Sequence, residues 1–263
     1  MAADFGTPTR FTQITPPPVA AQTAVKQAEI FMNEKLDVIV VAPHPDDAEL
    51  GMGGAILKMI GQGLKVGILD LTSGEPTPYG SPEIRQSETD AATKVLGVSW
   101  RRNLGLPNRS LEVTLDARRK LAIVFRETHP DWIFAPFWID AHPDHVAATQ
   151  LVEQARFWAK LSKTDMPGER FHPKRIFNYY CVHLKMHVQP AFVLDISDQW
   201  EAKRKSIECY HSQFVKGRED MDPSFIDQLE HEAAYWGKSI GVKYGEPFNS
   251  REPIGLNGFD RLV

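Results

Sequence analysis

The chain has 263 residues, of which 42% are hydrophobic and 24% charged, and a formal net charge of −4. That is the composition of a soluble globular protein able to bury a substantial core without staples. The slight excess of acid gives no electrostatic footing for nucleic acid or an anionic membrane as partner.

Residues 1–35 stand apart from the rest. "TPPPVAAQTA" carries three consecutive prolines and no strong periodicity, so it reads as an arm, extended at Pro16 to Pro18, with a short helix over Ala24 to Asn33. The arm lacks the basic start and apolar core of a signal peptide. Disorder and packing on a neighbouring subunit are its two readings.

Residues 36–263 read as one α/β domain. "LDVIVVA" is a buried strand, "GMGGAILKMIGQG" a helix ending in glycines, and "LKVGILDLT" a second strand. "SPEIRQSETDAATKVLG" is a helix with a Ser-Pro start and a Gly stop. A third strand, "VSWRRNLG", precedes the helix "TLDARRKLAIVFRETH", the fourth strand "PDWIFAP" and the helix "DHVAATQLVEQARFWAKLS". "RIFNYYCVHL" and "AFVLDIS" are further strands. Two helical stretches follow, "DQWEAKRKSIECYHSQF" and "PSFIDQLEHEAAYWGKSIG". The alternation predicts βαβ units, a mainly parallel Rossmann-like sheet and helices on both faces.

Cys181 and Cys209 form no C-x-x-C pair, which argues against a zinc-thiolate or redox motif. They read as reduced, buried thiols and favour a reducing cytoplasm. The longest apolar runs fall short of a membrane span.

In such sheets ligands collect at the carboxyl ends of the strands. Two polar clusters stand there. "HPDD", His44 to Asp47, follows the first strand, and "DAHPDH", Asp140 to His145, follows the fourth. Two adjacent carboxylates after a buried strand are awkward unless a cation sits among them. Imidazole and carboxylate suit zinc, and a catalytic zinc keeps three protein ligands and an open position. The three-residue spacing lets His44 and Asp47 aim at one point, while Asp46 faces another side. There it can take the proton of a water whose pKa the metal lowers from 15.7 to roughly 7. The second cluster needs one ligand, for which His142 and His145 compete. The other would support an oxyanion. Two histidines and a carboxylate also suit non-haem iron, but the spare Asp46 favours hydrolysis. "GMGG" does not match a dinucleotide loop, and the acids ahead of it would repel a pyrophosphate.

"PHPDD" and, about a hundred residues later, "HPDH" resemble the LmbE-like (PIG-L) family of zinc-dependent N-acetylglucosamine deacetylases. The resemblance extends from about Leu36 onward. "LGLPNRSLEV", "FVLDISDQWEAKRKSIECYHSQF" and "SIGVKYGEPF" resemble the bacillithiol-pathway branch, which deacetylates N-acetylglucosaminyl malate. The resemblance implies His44, Asp47 and His145 as ligands of zinc, or of ferrous iron, and Asp46 as general base. It implies a protonated His142 at the oxyanion, oriented by Asp144. Arg85 matches a substrate-cleft arginine. Asn108 and Arg109 stand where the branch often has Asp-Arg, and His183 falls on the cleft wall. For Arg85 and Arg109 surface ion pairing is the competing reading. Arg85 or Arg109 would meet the malate carboxylates. The resemblance also implies a homo-oligomer, with hexamers known in that branch. Diacetylchitobiose or a glycopeptide sugar is the alternative substrate, and a non-catalytic, metal-dependent sugar-binding protein is the rival class.

Overall fold

A computed structural model describes residues 35–181, 183 and 188–256. The Pro-rich arm lies outside the described residues. Among the described residues seven strands form one sheet, in the order β3-β2-β1-β4-β5-β7-β6. They are β1 (Val38–Ala42), β2 (Val66–Thr72), β3 (Trp100–Leu106), β4 (Trp132–Pro136), β5 (Arg175–Tyr179), β6 (Phe192–Asp195) and β7 (Gly245–Asn249). The first five pair in parallel, whereas β7 runs antiparallel to both β5 and β6.

Every residue of β1 and β2 is buried, as continuous apolar runs in a doubly covered sheet should be. Alternate side chains of β1 serve two cores. Ile39 and Val41 pack with α3 (Leu115–Thr128) and α4 (Pro143–Ala159), through Leu121, Phe125, Leu151 and Val152. Val38, Val40 and Ala42 pack with Met52 and Ile56 of α1 (Asp47–Gly61) on the opposite face. The remaining α-helices among the described residues are α2 (Pro82–Leu96), α5 (Trp200–Glu208), α6 (His211–Phe214) and α7 (Phe225–Ser239). No described helix is long and apolar enough to cross a membrane.

The chain departs from the sequence expectation in two places. The stretch "DQWEAKRKSIECYHSQF" is not one helix. It breaks between α5 and α6 at Tyr210, whose backbone leaves the helical region and whose fully buried side chain bonds Glu49 through its hydroxyl at 3.1 Å. The strand β7 has no strong sequence signal because it contains Pro247. It is tolerated because the β5 ladder reaches only Phe248 and Asn249, and Pro247 pairs with β6 alone.

α1 is kinked at Met52 (φ −153°, ψ 25°), so a second set of helix-start amides opens in its interior. Glu246 of β7 covers them, accepting from the N–H of Gly54 at 2.9 Å and of Ala55 at 2.7 Å. The buried Lys203 ammonium completes the same carboxylate at 2.6 Å. The kink lets the first turn of α1 follow the β1 loop while the rest of the helix lies along the sheet.

Candidate metal centre

β1 and β4 are neighbours, yet the chain leaves them toward opposite flanks, to β2 and to β5. That is a topological switch point, where a crevice opens beyond the strand ends. Both H-P-D clusters stand in it.

The first leaves β1 in a strained turn. Asp46 has φ 130°, a left-handed value that a non-glycine residue adopts at a cost of about 1–3 kcal/mol. The turn folds Asp47 back on His44. Asp47 Oδ2 accepts the His44 backbone N–H at 2.9 Å and lies 3.0 Å from His44 Nδ1. The second cluster starts α4. His142 is the N-cap, its Nδ1 accepting the Asp144 N–H at 3.2 Å, and Pro143 takes the first turn. This delivers His145 with its Nε2 3.4 Å from the same Asp47 Oδ2. The structure therefore brings together the three residues expected as ligands, their donor atoms within 4.8 Å of one another.

The donor set fits a divalent ion. His145 Nε2 is buried with no hydrogen-bond partner among the described residues, a costly state for a polar atom that metal ligation would relieve. The outer nitrogen of each histidine is held by a carboxylate. Asp144 Oδ2 lies 3.1 Å from His44 Nε2, and Asp140 Oδ2 lies 3.0 Å from His145 Nδ1. Such partners fix which nitrogen faces a metal and raise its basicity. His44 with His142 and Asp144, and Asp140 with His145 and Cys181, also come close together. Those sets would draw on nitrogens already bonded to Asp144 and Asp140.

Electrostatics divides the two adjacent aspartates. Burial works to raise Asp47, but the charge of His145 and the bond from His44 hold it well below the usual carboxylate range. Burial pushes Asp46 up to about 7, against the pull of Arg85 and with help from Asp47. Burial opposes a proton on His44, yet its bonds to Asp144 and Asp47 prevail and raise it to about 9. His145 is likewise raised, by the Asp47 charge against burial.

The surroundings of three residues bear on the roles expected of them. The Asp144 carboxylate does not orient His142. It bonds His44 and accepts the backbone N–H of Arg109 at 2.8 Å and of Leu111 at 3.2 Å, so it ties the β3 loop to the first cluster. Only the Asp144 amide touches His142. Burial and the neighbouring His145 and His44 lower the His142 pKa, against the pull of Asp144. Arg85 is not a surface ion pair, and it lines the cavity over this site. It is 4% exposed and bonds Asp46, Pro45 and Glu75.

Asn108 spends its amide on the Glu75 carbonyl at 3.0 Å, tethering the loop after β2. Arg109, with φ 62°, is exposed, and its guanidinium reaches the Pro76 carbonyl. His183 is exposed, with its ring 5.4 Å from that of His142 and 5.5 Å from that of His145. Cys181 is buried, whereas Cys209 is only half-buried, short of expectation.

A cavity of about 520 Å³ opens over this cluster, lined at its inner end by His44, Asp46, Asp47 and His142. Its outer wall comes from residues the sequence did not single out: Gln213, Phe214, Arg218, Met221, Phe225 and Gln228. Phe214 and Phe225 stack at 4.8 Å, and the Arg218 guanidinium lies 5.2 Å from the Phe225 ring centre. No spacing motif marks them, because the wall forms only when α6 and α7 fold together. Asp140 is a further site residue without an expected role. An acid five residues before His145 is its one signal in the sequence.

The family model described as GlcNAc-PI de-N-acetylase, PIG-L, matches residues 39–156, which hold both clusters. The chain is 29% identical to diacetylchitobiose deacetylase of Thermococcus kodakarensis over 81% of this chain and 82% of that protein. It is 30% identical to a probable N-acetyl-alpha-D-glucosaminyl L-malate deacetylase 2 of Bacillus anthracis, over 47% of this chain and 61% of that protein. The solved structure of the conserved protein TT1542 from Thermus thermophilus superposes with a TM-score of 0.79 at 38% identity. It covers 86% of this chain and 99% of its own.

Proposed function

The chain belongs to the PIG-L family of N-deacetylases, and from that premise we propose that it removes the acetyl group from N-acetylglucosaminyl malate. A divalent ion, zinc or ferrous iron, would be held by His44, Asp47 and His145, with Asp46 as general base. The observation that carries this reading is the meeting of His44 Nδ1 and His145 Nε2 at one Asp47 oxygen, beside a second carboxylate that faces the cavity.

Bound there, the ion would supply Lewis acidity toward the acetamide carbonyl and acidify a water. Asp46 takes that water's proton and hands it to the departing amine. A carboxyl pushed up to about 7 suits both transfers near neutral pH. His142 uses Nδ1 as an acceptor, which leaves its proton on Nε2 as a neutral donor for the developing oxyanion. Asp144 and Asp140 keep the two ligand histidines in register.

The outer cavity supports the malate. Among its lining residues the only acids are Asp46 and Asp47, at the inner end. Arg109 and Arg218 line it without an ion pair among the described residues, and arginine suits carboxylates. Diacetylchitobiose is the second reading, supported by the longer match to its deacetylase. The two free thiols fit a reducing cytoplasm. A homo-oligomer, up to a hexamer, belongs to the same reading and can be measured by light scattering.

Primary-amine release from each substrate, with and without a chelator, tests the proposal. Chelator-sensitive release favouring the malate conjugate is expected. Equal or better turnover of diacetylchitobiose would shift the substrate, and chelator-resistant turnover would remove the metal.

A further inference from the structure

Arg85 bridges the strained residue at the start of α1. Its Nη1 donates to the Pro45 carbonyl at 2.6 Å and to Asp46 Oδ2 at 2.7 Å, on either side of the φ 130° backbone. One nitrogen thus grips both the chain entering the turn and the carboxylate leaving it. The guanidinium is itself held, because Nε donates to Glu75 Oε1 at 3.1 Å. Glu75 is pinned in turn by the Thr77 N–H at 2.7 Å and the Thr77 hydroxyl at 2.9 Å.

Two glycines leave the room this chain of contacts needs. A Cβ on Gly74, which already has φ 71°, would stand 3.3 Å from Arg85 Cζ. A Cβ on Gly80 would stand 2.5 Å from Glu75 Oε1. Glu75 and Arg85 are both buried, at 8% and 4% exposure, in a loop and helix start that line an open cavity. A surface loop has no need of two buried charges unless they hold something in place.

We propose that Glu75 and Arg85 are positioning residues that hold Asp46 at the reacting water, and that Arg85 does not anchor the substrate. This rests on Asp46 being the general base. Arg85 Nη2 is the one guanidinium nitrogen with no partner among the described residues. Substrate anchoring through it is therefore the outcome the experiment must separate. A base displaced by about 1 Å can lose on the order of 100-fold in rate with ground-state binding untouched, so the two roles divide between kcat and KM.

The experiment compares Arg85→Ala, Arg85→Lys, Glu75→Gln and Asp46→Ala in the full-length metal-loaded protein, with kcat, KM and metal content measured for each. The expected result is a kcat reduced about 100-fold in Arg85→Ala and about 10-fold in Glu75→Gln, with KM within about twofold and metal content unchanged. Added guanidinium should restore part of the Arg85→Ala turnover, and Arg85→Lys should lie between Ala and wild type. Glu75→Gln keeps the side-chain volume, so it reads the same relay should Arg85→Ala fold poorly. A raised KM with kcat kept in Arg85→Ala or Arg85→Lys, or wild-type kcat in Glu75→Gln, overturns the positioning role while leaving Asp46 as base. Retained turnover in Asp46→Ala instead overturns the base assignment and the inference with it.

Discussion

Asp140 Oδ2 lies 3.0 Å from His145 Nδ1, and both side chains are wholly buried. The pair fixes His145 so that Nε2, the atom with no partner, points at Asp47. Asp140→Asn should therefore weaken metal binding by about 10- to 100-fold, since the amide cannot accept the ring proton with equal strength. Competition against a chromophoric chelator reads this directly. Unchanged affinity would mean that His145 is not a ligand through Nε2.

The adjacent aspartates should separate cleanly. Asp47→Ala removes the oxygen at which both imidazoles meet and should abolish stoichiometric metal. Asp46→Ala should retain the metal and lose about 100- to 10,000-fold in kcat, the usual worth of a general base. Loss of metal from Asp46→Ala, with His145→Ala still metallated, would reverse the assignment.

Metal affinity should rise with pH. His44, with its pKa raised to about 9 by Asp144 and Asp47 against burial, carries a proton at neutrality that an ion must displace. Proton and ion compete, so affinity climbs by ~1 log unit or more per pH unit between pH 6 and 9. The metal-free fold moves the other way. A raised folded pKa contributes stability that is complete below the unfolded value of 6.5 and is lost as pH rises through about 9. Urea melts of metal-free and metal-loaded protein at pH 6 and pH 9 should show opposite trends. A pH-independent metal affinity would exclude a charged His44.

Specificity should reside in the Arg109 and Arg218 guanidinium groups at the cavity mouth. Arg109→Ala and Arg218→Ala should each raise KM for the malate conjugate by about 10-fold or more, as expected for loss of a charge-assisted contact. Neutral N-acetyl sugars should be processed as before. Equal effects on both substrate types would point to a general loosening of the wall.

Glu246→Ala should destabilise the fold by roughly 3–5 kcal/mol, because it strands the buried Lys203 ammonium and two buried amides. Glu246→Gln keeps an acceptor and should cost less. Denaturant melts rank them, and equal stability of Glu246→Ala and wild type would mean the kink needs no cap.

The strands β1 and β2 were legible because "VIVVA" and "VGILDLT" are buried on both faces, an environment that favours continuous apolar runs. The two clusters were legible because each sits within a few residues of its strand end. What stayed hidden was set by contacts across the fold. Asp144 reaches His44 and Asp140 reaches His145, and spacing carries no such information. Arg85 looked like a cleft arginine, but the close approach of Pro45, Asp46 and Glu75 gives two of its three nitrogens to the protein. β7 was concealed by Pro247, and the outer wall by its origin in two separate helices.

The Glu246 cap joins residues 192 positions apart. The helix that begins with Asp47 is therefore finished by a strand this far along the chain. Until β7 emerges and docks, the amides of Gly54 and Ala55 have no carboxylate, and the bend that frees the first helical turn is unsupported. A nascent chain carrying both H-P-D motifs would hold every expected ligand and still lack a settled geometry for them. Metal capture should accordingly wait for β7 to dock.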